Sequence, residues 1–192
     1  MTAYLDYQKG KGRSIELRLE DRDASPLYHT DFVHGKNNVS GIDGIDVSDL
    51  NDNKLASLIF GKKPGIIRKW RGTLKLMPPE QAPIEIQCKH AYYHTLRFEL
   101  EGDLYEVYDH HEQERSVYKN DIQVAHIDKK RDHFFDSRCY ILNYDSRIDP
   151  VLLLAISQSN ELCEARYSSN ANVGWITSPN KGKRNPNWSP RS

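Results

Sequence analysis

The chain has 192 residues, which is enough for one domain with a buried core. Lys plus Arg and Asp plus Glu number 27 each, so the molecule as a whole has no general attraction to nucleic acid or to a membrane surface. The 11 Tyr, 5 Phe and 3 Trp exclude a disordered chain, and a hydrophobic fraction of 38% suits a sheet protein in which only every second strand residue is apolar.

Alternation of apolar and polar residues with a period of two recurs along most of the chain and predicts short strands. The segment 41–50 mixes Asp and Gly with apolar residues, so it fits either an irregular segment or a strand with bulges. Turns are predicted where Gly, Pro or Asn-Asp pairs interrupt the pattern, and at the charged run 129–132. The predicted strands are, in chain order, 14–20, 27–33, 41–50, 54–60, 66–77, 84–89, 92–101, 104–109, 115–119, 122–128 and 138–144.

A helix is predicted to begin at Asp149 and Pro150. The Asp carboxylate can cap the first free N–H groups, and the proline ring has the φ angle of a first helical residue. The six residues 151–156 are all apolar, so this part of the helix should be surrounded on every side. We therefore predict a helix over 149–162 inside a closed antiparallel β-barrel of about 12 strands.

Two regions are predicted from the change in composition near the end of the chain. Residues 1–163 form the barrel domain, and residues 164–192 form a polar, basic and largely flexible tail. The tail has five cationic residues against Glu164 alone, a net charge of +4. We see no N-terminal signal sequence or membrane-spanning run, and three cysteines cannot all pair within one chain. We therefore expect a cytoplasmic protein with reduced thiols.

The order of motifs over residues 104–162 resembles the C-terminal half of a known superfamily. Strand 104–109 is followed by Val117 to Asn120, a turn, the run Gln123 to Lys129, strand 139–144 and the Asp-led apolar helix. This arrangement is similar to tubby-like domains, especially the LURP-one-related and bacterial tubby C-terminal-like proteins, with phospholipid scramblases as more distant relatives. The resemblance implies an antiparallel barrel, commonly of twelve strands, around a hydrophobic helix. Tubby domains proper bind phosphoinositides through basic side chains on the barrel surface.

A basic hairpin is the best candidate for an anion-binding or lipid-binding face. Same-side cations on a strand lie about 6–7 Å apart and could hold a phosphorylated head group. An outer strand that its charges keep soluble is the alternative. The candidate residues are Lys62, Lys63, Lys69, Arg71 and Lys75, with Arg68 and Trp70 among them. A secondary basic cluster consists of Lys129, Lys130 and Arg131, which we expect in a solvated hairpin turn.

The histidines do not predict a metal site. His110 and His111 are adjacent and would point to opposite faces of a strand. His90 and His94 would share a face but lie about 13 Å apart along a strand. No Cys-x-x-Cys pair or His-x-x-x-His helix is present to fix zinc geometry, and we assign no metal and no cofactor.

A non-enzymatic binding or adaptor module is the function that these observations predict. Its partner would be an anionic phospholipid surface, at the periphery of the membrane, or another protein. The alternative is an intracellular enzyme that uses Cys139 or a histidine pair in a pocket. No phosphate-binding loop or nucleophile elbow supports that alternative, so we assign no catalytic residue. The tail lacks the dense basic run or aromatic platform of a nucleic-acid-binding segment, and nucleic acid is not an expected partner.

Overall fold

The computed structural model describes residues 1–7, 15–19, 26–35, 42–61, 71–77, 82–88, 96–110, 114–131, 138–158, 185 and 187–191. The described strands are β1 (Thr2–Tyr7), β2 (Ile15–Leu19), β3 (Tyr28–His34), β4 (Ile42–Asp49), β5 (Lys54–Phe60), β6 (Arg71–Leu76), β7 (Ile84–Cys88), β8 (Leu96–Leu100), β9 (Asp103–Asp109), β10 (Glu114–Lys119), β11 (Ile122–Arg131) and β12 (Arg138–Tyr144). The described helix, α1, covers 150–158. The prediction of a mainly β chain with a helix near its C-terminal end is confirmed.

The strands pair antiparallel in chain order, and the first strand also pairs with the last. The register of β1 on β12 runs from Thr2 opposite Asn143 to Asp6 opposite Cys139. The amino group of Met1 adds to this junction by donating a hydrogen bond to the Tyr144 carbonyl oxygen at 2.8 Å. The first and the last described strands are therefore hydrogen-bonded neighbours. β1 was not among the strands predicted from the sequence.

In the first half of the chain, the strands predicted from alternation agree closely with the observed strands β2 to β5. The predicted strand 54–60 coincides with β5, in which Ala56, Leu58 and Phe60 are buried while Lys54 is exposed. The bulged reading of 41–50 is confirmed, because the register of β4 shifts against both of its neighbours. Gly44 allows β4 to approach β5 closely, since a Cβ atom there would lie 2.2 Å from the Leu58 carbonyl oxygen.

The charged run at the end of β11 is not a turn, and the prediction for Lys129, Lys130 and Arg131 was wrong in this respect. All three lie in β11, opposite Tyr140, Cys139 and Arg138 of β12. Strand pairing is made by the backbone, so a run of cations does not prevent it when a partner strand is present.

The start of α1 is as predicted. The Asp149 carboxylate oxygen Oδ1 accepts hydrogen bonds from the backbone N–H groups of Val151 at 2.8 Å and Leu152 at 3.0 Å. The Asp149 carbonyl oxygen accepts the first bond of the helical ladder, from the Leu153 N–H at 2.9 Å. Asp149 is therefore the N-cap and Pro150 the first helical residue. Of the predicted helix, 159–162 lie outside the described residues.

The buried part of α1 has no exposed side. Each residue from 152 to 158 is buried, so side chains that point in every direction from the helix axis are covered. The helix shares one hydrophobic core with inward-pointing strand residues such as Leu58, Leu74 and Val107. The core therefore lies between α1 and the strands, as expected for a helix that is apolar all round.

The end of the tail lies against the strands. The Trp188 indole N–H donates a hydrogen bond to the Gln123 carbonyl oxygen at 2.8 Å. Beside it, the Arg147 guanidinium contacts the fully buried Asp145 carboxylate, and this contact raises the pKa of Arg147. Of the predicted tail, 164–192, the structure describes only residues 185 and 187–191, so a largely flexible tail stays a prediction.

Candidate functional site

Two of the five predicted anion-binding residues lie on β6. Arg71, Thr73 and Lys75 are exposed, whereas Gly72 and Leu74 between them are buried. The alternation arises because the inner residues of β6 join the core, so the outer residues must face solvent. Arg71 and Lys75 are four residues apart and share the outer face at a distance of about 13 Å along the strand. The other three, Lys62, Lys63 and Lys69, lie outside the described residues.

The two cations of β6 differ in their surroundings. Arg71 Nη1 lies 3.3 Å from Oε1 of Glu85 on the adjacent strand β7, and both side chains are at least half exposed. An exposed pair of this kind contributes at most about 1 kcal/mol, so Arg71 can exchange Glu85 for another anion at small cost. Within the described residues, Lys75 has no ion-pair partner. The outer face of β6 thus offers one paired and one unpaired cation.

The secondary basic cluster, Lys129, Lys130 and Arg131, lies within β11 and not in a loop. Arg131 lies opposite Arg138 in the β11–β12 register, so two cationic residues are direct neighbours across the strands. The structure does not bring this cluster next to β6, because β11 and β6 are separated by β7 to β10 in the strand order.

The structure describes only some of the residues that the enzyme alternative would use. Cys139 lies in β12, opposite Asp6 of β1 and Lys130 of β11. His90, His94 and His111 lie outside the described residues. His110 Nε2 lies 2.9 Å from the Ser116 hydroxyl oxygen, and Ser116 is fully buried, which keeps that hydroxyl from a solvent-borne substrate. Among the described residues, no three His, Cys, Asp or Glu side chains are grouped to hold a metal ion.

A cleft that was not predicted from the sequence lies at β7 and β8, and we call it the β7–β8 cleft. Among the described residues, the register between these strands has two pairs, Gln87 with Arg97 and Cys88 with Leu96. Beyond Gln87 and Arg97 the two strands have no further paired residues, and their side chains line a cleft of about 680 Å³. It is lined by Ala82, Pro83, Ile84, Glu85, Gln87, Arg97, Phe98, Glu99, Leu100, Glu101 and Leu104.

The floor of the cleft is held in place from below. Phe98 is buried and stacks on Tyr105 of β9, with the ring centroids 5.1 Å apart and the rings nearly parallel. The Lys119 ammonium group lies 5.7 Å from the centre of the Tyr105 ring, which adds a cation–π contact to the stack. These contacts fix the aromatic part of the floor before any ligand arrives.

Glu106 of β9 lies opposite the cleft residue Arg97 and contacts an aromatic pair on β9 and β10. The Tyr108 hydroxyl donates a hydrogen bond to Glu106 Oε2 at 2.9 Å, and its ring meets the Tyr118 ring edge to face. Burial raises the pKa of Tyr108 to about 12, and the Glu106 carboxylate acts in the same direction, because a neighbouring anion opposes the loss of the phenolic proton.

Alternation in the sequence predicts which side chains of β7 and β8 point outward, but it does not predict that a cleft forms there. Glu85, Gln87, Arg97 and Glu99 occupy outward positions, as their strand patterns predict. The point at which the pairing of β7 with β8 stops is set between distant segments, and no local signal contains that information. A strand of normal length that pairs over two residues is a feature that only the tertiary structure reveals.

Comparison with known proteins gives no relative: no family model, no curated protein and no solved structure matches this chain. Within the described residues, no helix is both long enough and apolar enough to cross a bilayer.

Proposed function

We propose that this chain is a non-enzymatic binding module of the tubby-like kind, in which a closed barrel around α1 presents β6 to anionic phospholipid head groups. The observation that carries the proposal is the outward alignment of Arg71 and Lys75 on a strand whose other face is anchored in the core. The alternative is that these cations only keep the strand soluble. In that case lipid binding would not depend on Arg71 and Lys75.

The proposed mechanism is the neutralisation of head-group phosphates by cations on a rigid surface. Buried Leu74 and Gly72 hold the strand, so no backbone rearrangement precedes binding. Glu85 competes with the lipid for Arg71 and sets a threshold on the lipid charge needed. Each cation near an anionic surface contributes about 1 kcal/mol, and the effect decreases as salt screens it.

The proposed kinship rests on two features of the described residues. The strands follow one another in chain order as an antiparallel meander, and a helix with an Asp N-cap and a fully buried apolar run follows the last strand. Both are features that the resemblance implies. A cytoplasmic protein that associates with the periphery of the membrane is part of the same proposal.

Cosedimentation with vesicles tests the proposal. We expect the wild-type protein to bind vesicles of phosphatidylcholine with 5% phosphatidylinositol 4,5-bisphosphate at 50 mM salt and to dissociate at 500 mM salt. The double variant Arg71→Gln/Lys75→Gln should bind about thirtyfold more weakly, because two cations at about 1 kcal/mol each are lost.

The matched control is Arg191→Gln, which removes an exposed cation away from β6 and should bind as the wild type does. Failure of the wild-type protein to bind at 50 mM salt would refute the lipid proposal and leave a protein partner as the candidate for β6. If the control lost half as much binding free energy as the double variant, the loss per cation would be the same at both places and only net charge would matter.

A further inference from the structure

The β-bulge in β11 presents a backbone carbonyl group to side chains. The β10–β11 register shifts between Val117 and Tyr118, which leaves one extra residue on β11 beside Gln123. The Gln123 carbonyl oxygen accepts hydrogen bonds from two side chains, from Trp188 Nε1 at 2.8 Å and from Arg147 Nη2 at 3.4 Å. The two donors come from different parts of the chain and meet at this one oxygen, and we call this place the Gln123 site.

The Gln123 site is held by contacts that do not involve Trp188. The Gln123 side chain is buried, accepts a hydrogen bond from the Tyr118 hydroxyl at 3.3 Å and donates one to the Ala125 carbonyl oxygen at 3.3 Å. The Arg147 guanidinium is held by the fully buried Asp145 carboxylate. The acceptor and its surroundings are therefore in place whether or not an indole is bound.

Trp188 belongs to a turn that forms by its own contacts. The Asn187 N–H donates a hydrogen bond to Asn185 Oδ1, and the Trp188 N–H donates one to the Asn185 carbonyl oxygen, both at 3.1 Å. The sequence of the turn is Asn-Pro-Asn-Trp, and Asn at the first position with Pro at the second is favoured in β-turns. A short segment with this sequence therefore brings its own shape to the Gln123 site.

The Trp188 segment, residues 185 and 187–191, reaches the strands through its indole. Within the segment, Trp188 is partly buried and the other described residues are exposed. A cleft of about 460 Å³ lies between the segment and the strands, with Tyr118, Ile122 and Arg147 in its lining. Ile122 is 53% exposed, so it offers an apolar surface beside the indole. The β10–β11 ladder does not include the segment, so the segment can leave without unpairing these strands.

We propose that the Gln123 site recognises a tryptophan-bearing turn of a partner protein, and that the Trp188 segment is an internal competitor which occupies the site until the partner displaces it. The partner segment has the chemistry of the segment seated there. It is a turn of the Asn-Pro-x-Trp kind whose indole N–H donates to the Gln123 carbonyl oxygen while the ring packs beside Ile122. Tryptophan fits because it joins a large apolar ring to a single N–H donor. The internal segment is tethered and has a high local concentration, so the partner binds only when it is more abundant or has the higher affinity.

This site is independent of the lipid-binding face proposed on β6. β11 and β6 are separated by β7 to β10 in the strand order, and the Gln123 site requires no membrane. A failure of vesicle binding therefore leaves the Gln123 site intact, and the reverse is also true.

Binding of a labelled peptide to a full-length variant tests the proposal. The variant is Trp188→Ala, which removes the internal competitor, and the probe is a fluorescein-labelled peptide that copies residues 184–192. By fluorescence anisotropy, we expect saturable binding to Trp188→Ala and about tenfold weaker binding to the wild-type protein, in which the internal segment competes. A peptide with 1-methyltryptophan in place of tryptophan should bind Trp188→Ala about tenfold more weakly, because it keeps the ring but lacks the N–H donor.

A second substitution examines the apolar side of the site. Combined with Trp188→Ala, Ile122→Asn should weaken binding of the peptide about fivefold, because the ring loses apolar contact area. The matched control is Leu50→Asn in the same background, another exposed apolar residue, which follows β4 and should leave binding unchanged. Unchanged melting temperatures would show that the variants are folded. If Trp188→Ala does not fold, Trp188→Phe takes its place, because it keeps an aromatic ring without the N–H donor.

Hydrogen exchange locates the bound peptide. Amide exchange in 122–125 and 145–148 should be faster in Trp188→Ala than in the wild type and should become slow again when the peptide binds. The proposal is overturned if Trp188→Ala does not bind the peptide, if the wild type binds it as tightly, if the 1-methyltryptophan peptide binds equally well, if Ile122→Asn has no effect, or if protection appears only elsewhere in the chain.

Sedimentation distinguishes a partner protein from a second copy of this chain. We expect the wild-type protein to be monomeric at the concentrations of the binding assay, because its own segment fills its own site. Dimers of the wild type that are absent in Trp188→Ala would show that the segment is exchanged between copies, and they would overturn the proposal of a partner protein.

Discussion

The N-cap at Asp149 allows a quantitative test of the helix on which the core depends. Replacing Asp149 with Ala removes the carboxylate that accepts hydrogen bonds from Val151 and Leu152 but keeps the backbone carbonyl that accepts from Leu153. Loss of an N-cap side chain costs about 1 kcal/mol, within a range of about 0.5–2 kcal/mol. For a chain of this length, a loss of about 1 kcal/mol lowers the melting temperature by about 2–4 °C.

Matched substitutions separate the hydrogen bonds from the charge. Asn at position 149 keeps an acceptor without a charge, so Asp149→Asn should retain most of the stability if the hydrogen bonds dominate. If attraction between the carboxylate and the helix dipole dominates, Asp149→Asn should lose nearly as much as Asp149→Ala. Scanning calorimetry and urea unfolding measure both variants. A melting temperature of Asp149→Ala equal to that of the wild type would refute the assignment of Asp149 as a stabilising cap.

Two further predictions concern the core and alkaline stability. The Leu153→Asp variant should not fold, because it places an unpaired carboxylate among residues that are almost fully buried, and a soluble variant with cooperative unfolding in circular dichroism would contradict the burial of α1 on all sides. The raised pKa of Tyr108, about 12 against an ordinary 10, means that the unfolded chain loses this phenolic proton first, so stability is complete below pH 10 and decreases between about pH 10 and 12. The Tyr108→Phe variant should lose less stability than the wild type across that interval in urea unfolding, and an identical loss in both proteins would show that Tyr108 does not contribute.

The sequence by itself determined the features that depend on neighbouring residues. Alternation with a period of two gives the bounds of β5 and the outward position of Arg71 and Lys75, because a strand turns successive side chains to opposite faces. Asp149 and Pro150 give the start of α1, because the cap uses only the next few N–H groups. The apolar run after Pro150 gives its burial, because a helix without a polar face must be covered on all sides.

The tertiary structure alone decided which strands pair and for how long. β1 pairs with β12 although Thr2 and Asn143 are 141 residues apart, β11 continues through Lys129, and the described pairing of β7 with β8 stops after two pairs. Trp188 likewise finds its partner at Gln123, 65 residues away. Backbone hydrogen bonds look alike whichever side chains flank them, so pairing between distant segments depends on register and on the edges that other strands leave available. The basic strand was therefore visible in the sequence, whereas the β7–β8 cleft was not.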